Sequence, residues 1–207
     1  MAAMGASPSL QHAVDELYRL AVTESKATST KRLSALAAYC VSELASRGLP
    51  GARAEVRIPG GGREKDWDVA WEWGAKFRLV LSLKSILKNL AGTVPNRLDD
   101  AMGETANIQL YSPEIVTGYI VLVDVSQDEA TPGGHTWADR LGANLARLSG
   151  RRAPYWAPGT FEAFALVKVD FSQRPAIVSG ADAMARMFDE LVAETLRRNP
   201  GVREERA

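Results

Sequence analysis

The sequence predicts an α/β (α+β) domain in which helices flank a mixed central sheet, and three patterns predict it. Two alternating apolar runs, DWDVAWEW (Asp66 to Trp73) and KFRLVLSLKS (Lys76 to Ser85), meet at Gly74 in the manner of a hairpin. GYIVLVDV (Gly118 to Val125) is apolar almost without a break, as a strand buried on both faces is. Stretches with apolar residues every three or four positions lie before, between and after these runs, and each reads as an amphipathic helix.

Taken in order, residues 1–7 are small and expected to fray. Ser9 is placed to cap a helix that runs to about Ser25, with Val14, Leu17, Leu20 and Ala21 at helical spacing. A second helix, about Ser29 to Ser46, carries Leu33, Leu36, Ala37, Cys40, Val41 and Leu44, and Gly48 stands where a left-handed cap is needed. ARAEVRI (Ala52 to Ile58) alternates as a strand, Pro59 to Gly62 turns, and the next two strands complete a meander. After Lys84 the pattern turns helical. Ser85 to Leu90 reads as a short turn and Gly92 as a break, with Pro95 opening a helix from about Asn96 to Leu110. The strand at Gly118 follows, then a loop, a helix from Trp137 to Leu148, a Pro- and aromatic-rich loop, a strand from Phe161 to Val169, and a helix from Ala181 to Arg198. The expected organisation is one domain over residues 1–207. N-terminal helices occupy 1–50, the core 52–125, and the C-terminal helices and strand 135–199.

The totals narrow the function classes. A hydrophobic share of 46% with 24% charged residues describes a chain that folds around a core. Lys+Arg and Asp+Glu are both 25, so any nucleic-acid contact must come from a local patch rather than a global field. One cysteine, Cys40, excludes an intrachain disulfide and suits a reducing cytoplasm. Two histidines make a histidine-rich zinc site untenable. No apolar run is long enough to span a membrane.

Side chains alternate across a strand, which sorts the hairpin residues by face. Trp67, Val69, Trp71 and Trp73 share one face and Asp66, Asp68, Ala70 and Glu72 the other. On the second strand Phe77, Leu79, Leu81 and Leu83 oppose Arg78, Val80, Ser82 and Lys84. Stacking the apolar sets leaves carboxylates beside a lysine, an arrangement suited to a divalent metal and a phosphate. The tryptophans on the interior face are expected to be core rather than a base-stacking platform. Gly60 to Gly62 is read as a turn rather than a phosphate loop, because no helix opening on Lys-Ser/Thr follows it.

The element order, with an acid on the second strand and an x-x-Lys element on the third, resembles the PD-(D/E)xK nuclease superfamily. The similarity to restriction-endonuclease-like proteins is greatest over Ser82 to Asp124, through the linked blocks S-L-K-S, N-R-x-D-D, G-E and G-Y. It extends in weaker form over Ala52 to Asp124. The resemblance implies a restriction-endonuclease-like fold and Mg²⁺-dependent hydrolysis of DNA phosphodiester bonds in a restriction or defence setting, with Mn²⁺ able to substitute. Asp68 matches the superfamily's strand aspartate and Lys84 its lysine. Ser82 occupies the position that normally holds Asp or Glu, and a neutral hydroxyl cannot replace a carboxylate at Mg²⁺.

A second acid is therefore required from elsewhere. Glu72, on the Asp68 face, and Glu43, reaching from the second helix, are the favoured sources, and the residues leave the choice between them open. Asp100 and Glu104, one helical turn apart, are further acids that could face the site. By the same resemblance Asp68, Glu72 and Glu43 are the expected metal ligands. Lys84 would stabilise charge on the phosphate, and Ser82 would hold a water or the lysine. Lys88, Asn96 and Arg97, and the loop residues Arg151 and Arg152, are expected nucleic-acid contacts. Partners implied are DNA, a second copy of the chain in a homodimer, and a separately encoded subunit. The alternative function is a nuclease-like scaffold that binds nucleic acid or protein without cutting.

Overall fold

The computed structural model describes residues 8–24, 30–172 and 174–204. Six strands form one mixed sheet in the order β1-β2-β3-β4-β5-β6. β1 (Arg53–Ile58), β2 (Lys65–Trp73) and β3 (Lys76–Ile86) are an antiparallel meander, as the alternation predicts. β3, β4 (Val116–Asp124) and β5 (Ala163–Asp170) run parallel, and β6 (Ala176–Ser179) closes the edge antiparallel to β5. β4 is the central strand. All its residues from Val116 to Val123 are buried, because helices cover both of its faces.

One face carries α1 (Leu10–Tyr18), α2 (Ser34–Ser46) and α5 (Ala181–Arg198), packed on Val69, Trp71, Leu79, Leu81, Leu83, Ile120 and Val167. The other face carries α3 (Leu90–Tyr111) and α4 (Trp137–Leu148), over Tyr119, Val121, Val123 and Phe161. Local chemistry sets the helix ends. Ser9 caps α1, its Oγ accepting from the His12 amide at 3.1 Å. At the end of α2 the Gly48 amide donates to Ala45 and the Leu49 amide to Leu44, with Gly48 at φ 95°, the paired bonds of a left-handed cap. Thr136 and Asp139 form a reciprocal capping box at α4. Among the described residues no helix is long and apolar enough to cross a membrane.

The structure departs from sequence expectation at several points. α1 passes into a π-helical turn, Arg19–Thr23, and α2 is preceded by a 3₁₀ turn, Thr30–Leu33. The expected helix limits at Ser25 and Ser29, and the fraying expected of residues 1–7, lie outside the described residues. β3 continues to Ile86, and α3 begins at Leu90 with Pro95 inside it rather than at its start. Its cap is Asn89, whose Oδ1 accepts from the Gly92 amide at 3.2 Å. β6 is a strand the reading did not include.

Trp67 does not join Val69 and Trp71. It packs with Ile58, Ala70, Val80, Ile108 and Ile115 beneath α3. Two ladder interruptions account for this. β2 is in register with β3 only from Val69 to Trp73, and Glu55, at φ 52°, interrupts the β1 pairing opposite Asp68. Alternation is therefore broken at Asp68, and the residues before it turn toward α3.

Candidate active site

β2 and β3 separate where Asp68 stands, and its side chain replaces the missing ladder bond: Oδ2 accepts from the Leu83 amide at 2.7 Å. The opening leads into a cleft of about 610 Å³ lined by residues including Asp66, Asp68, Lys84, Ser85, Arg32 and Arg97. Glu55 also lines it. Its lining thus mixes acids from β1 and β2 with cations from β3, α3 and the 3₁₀ turn.

Behind Asp68 lies a closely tied set. Lys84 Nζ donates to Glu104 Oε1 at 2.8 Å, and Ser82 Oγ donates to Glu104 Oε2 at 2.9 Å. Lys65 Nζ reaches the same Oε2 at 2.6 Å and sits 4.2 Å from the centre of the Trp67 ring. α3 delivers Glu104 because Ala101, Thr105 and Ile108 form its buried stripe, which presses that part of the helix onto the sheet. Glu104 thereby sets its carboxylate on the hydroxyl of Ser82, the position without an acid in the linear pattern.

Charge and burial shape the titration of these groups. Burial raises the pKa of Asp68 above the usual carboxylate range, against the Leu83 amide and the Lys84 and Lys65 charges, which pull it down. Burial also acts to raise Glu104, but the two ammonium groups and their hydrogen bonds outweigh it and hold Glu104 low. The Lys65 ammonium is pushed down by burial, an effect that Glu104 offsets in part. Asp68, Glu104, Lys65 and Lys84 thus share one small space.

The residues read from sequence fall into three groups. Asp68, Ser82, Lys84 and Glu104 converge, and Arg97 lines the same cleft. Glu72 and Glu43, the favoured acids, are not brought there. Glu72 is four residues along β2, about 13 Å at strand rise, beyond a bulge at Trp71/Glu72, and it pairs with Arg53 at 2.7 Å. Glu43 is bound to Arg47, which also holds Asp189 of α5 at 2.8 Å. Asp100 pairs with Arg97 on the same turn of α3.

Of the expected nucleic-acid contacts, Arg151 is a correction. It is buried and bonded to Glu162 at 2.8 Å, so it cannot meet a strand, whereas Arg152 and Tyr155 of the same loop are exposed. Trp156 packs on the buried pair, its ring 4.8 Å from the Arg198 guanidinium and 5.5 Å from that of Arg151. Arg152 and Lys88 are exposed outside the cleft. Asn96 is exposed on α3 and bonds weakly to the Gly92 carbonyl at 3.4 Å.

Lys65, Arg32 and Ser85 were not singled out from the sequence. Lys65 has the parity of Trp67, so the rule that assigns Trp67 to the opposite core also assigns Lys65 away from the acids. The break at Asp68 reverses both. Comparison with protein-family models, with curated proteins and with solved structures returned no match.

Proposed function

We propose that this chain is a metal-dependent endonuclease of the PD-(D/E)xK, restriction-endonuclease-like type that hydrolyses DNA phosphodiester bonds. One observation carries the reading: Asp68 and Lys84 line one cleft, and behind them Glu104 of α3 sets its carboxylate on both Lys84 and Ser82.

Mg²⁺ prefers oxygen ligands and takes one or two carboxylates, leaving other positions to water and phosphate. Asp68 and Glu104 supply that donor set. Among the described residues no three His, Cys, Asp or Glu side chains converge as a dedicated cage. Asp68 and Glu104 would hold the ion, Asp68 kept oriented by the Leu83 amide and Glu104 shared with Lys65. Bound there, Mg²⁺ would supply a Lewis acid that polarises the phosphate. Lys84, fixed by Glu104, stands on the cleft wall to stabilise charge developing on a phosphoryl oxygen. Glu104 holds both lysines in place, and the Leu83 amide keeps the Asp68 carboxylate oriented.

A second reading is a scaffold that binds nucleic acid without cutting. Lys65 favours it, because its ammonium already sits on Glu104 Oε2 as a tethered cation. A Mn²⁺ titration by calorimetry, with Asp68→Asn beside the parent, separates the two. The nuclease reading expects heat in the parent and none in the variant. No heat in either would leave the scaffold reading. Equal heat in both would remove Asp68 from the metal site.

Asp68→Asn also has an expected stability signature. A carboxyl with a raised folded pKa favours the fold most when protonated. That contribution is complete below the unfolded pKa and is lost as pH rises through the folded one. At pH 7 the uncharged variant, which keeps an oxygen for the Leu83 amide, should therefore melt at or above the parent temperature. The difference should narrow as pH falls into the acid range.

A further inference from the structure

Three cations reach the cleft from separate elements: Lys84 from β3, Arg97 from α3 and Arg32 from the 3₁₀ turn before α2. Two of them are guanidinium groups. Arg32 Nε donates to Ser85 Oγ at 3.2 Å, which ties the turn to β3 one residue beyond Lys84. Arg97 bonds Asp100 through Nη1, while its Nε has no acceptor in the protein. Burial depresses the Arg32 pKa, and the nearby Arg97 charge depresses it further, so the two guanidiniums repel each other. A guanidinium offers a planar fork of donors that matches two oxygens of a phosphate, which a lysine does not.

We propose that Arg32 and Arg97, with Ser85 steadying Arg32, form a subsite that binds a backbone phosphate of the nucleic acid beside the diester facing Lys84. The subsite shares the cleft with Lys84. The proposal rests on the nuclease-fold reading for the identity of the ligand, but it requires neither metal nor cleavage.

The test measures binding of a short DNA duplex to the full chain without divalent ions, over a range of salt concentrations. The variants are Arg32→Gln, Arg97→Gln, Arg32→Lys and, as a control outside the cleft, Arg147→Gln. Each glutamine variant at the cleft should weaken binding about tenfold, as loss of a charge-assisted bond does. Each should also reduce the slope of log K against log salt by about 1. Arg32→Lys should keep most of the slope, and Arg147→Gln should match the parent. Affinity and slope unchanged in both cleft variants, with melting temperatures kept, would overturn the proposal. So would saturation of the parent by inorganic phosphate with no duplex binding, which would make the subsite one for free phosphate. Failure of the nuclease reading would look different: no cleavage by the parent, with the slope still falling in Arg32→Gln.

Discussion

Glu162→Ala is expected to cost about 3–5 kcal/mol of stability, the usual penalty for leaving a buried charge without its partner. Glu162 is the centre of the most enclosed ionic network described in the chain. Its Oε1 accepts from Arg151 at 2.8 Å and Arg198 at 2.7 Å, with side chains only 1%, 4% and 4% exposed for Arg151, Arg198 and Glu162. Its Oε2 accepts from the Thr117 amide and hydroxyl at 2.7 and 2.8 Å. The two guanidiniums also bond the carbonyls of Pro113, Glu114 and Ile115, so the set fastens the end of α5 and the 151 loop to the entry of β4. Removing the carboxylate leaves the buried Arg151 without its anion and two Thr117 donors without their acceptor, while Arg198 keeps Glu194. A loss of that size lowers the melting temperature of a chain this long by roughly 10 °C. Chemical unfolding would check it. The double variant Glu162→Ala/Arg151→Met should lose less than the sum of its singles, because the second change removes a charge the first left unpaired.

Glu104→Gln should damage stability and activity together. Glu104 and Lys65 are each 13% exposed, and Glu104 alone joins Lys65, Lys84 and Ser82. The amide keeps an acceptor for Ser82 but removes the charge that holds two ammonium groups, at a cost of about 3 kcal/mol. The pH dependence has a defined sign. The folded pKa of Glu104 is lowered, so its contribution is present above the unfolded value and fades as pH falls through the folded one. The gap between parent and Glu104→Gln should therefore shrink in acid. Cleavage should fall by at least about 100-fold, the scale of losing one electrostatic contact to the transition state. Glu72→Gln, which loses only an exposed pair with Arg53, should stay within about twofold of the parent and within about 0.5 kcal/mol of its stability.

Much of the fold could be read because its elements follow local rules. Alternation marked the meander, an unbroken apolar run marked the central strand, and α4 and α5 carried their stripes to their ends. Gly48 and Ser9 did as their chemistry requires. The misses lie where local rules compete or fall silent. Pro95 signals a helix start, but Asn89 supplies a better-placed cap, and the helix accommodates the proline within its second turn. β6 has four largely exposed residues at a sheet edge and too short a pattern to register.

The site divides along the same line. Ser82 and Lys84 share a face of β3 by parity, and Asp68 stands on the neighbouring strand, next to the end of their ladder. Glu104 and Lys65 meet across 39 residues because α3 packs over a strand that has lost its alternation, and only the tertiary structure records that. Glu72 was favoured because it shares the parity of Asp68, yet parity says nothing of the 13 Å between them.

The most direct test of the Asp68–Glu104–Lys84 centre is incubation of purified chain with plasmid DNA and Mg²⁺ or Mn²⁺, beside Lys84→Ala. Lys84 lines the cleft and is only partly buried, so the variant should remain folded by its melting curve. The account predicts metal-dependent strand cleavage by the parent and its loss in Lys84→Ala. Discrete fragments would indicate a sequence-specific enzyme, and a smear a nonspecific one. Cleavage that persists undiminished in folded Lys84→Ala would contradict the centre. No cleavage by the parent with either metal would contradict the nuclease function itself.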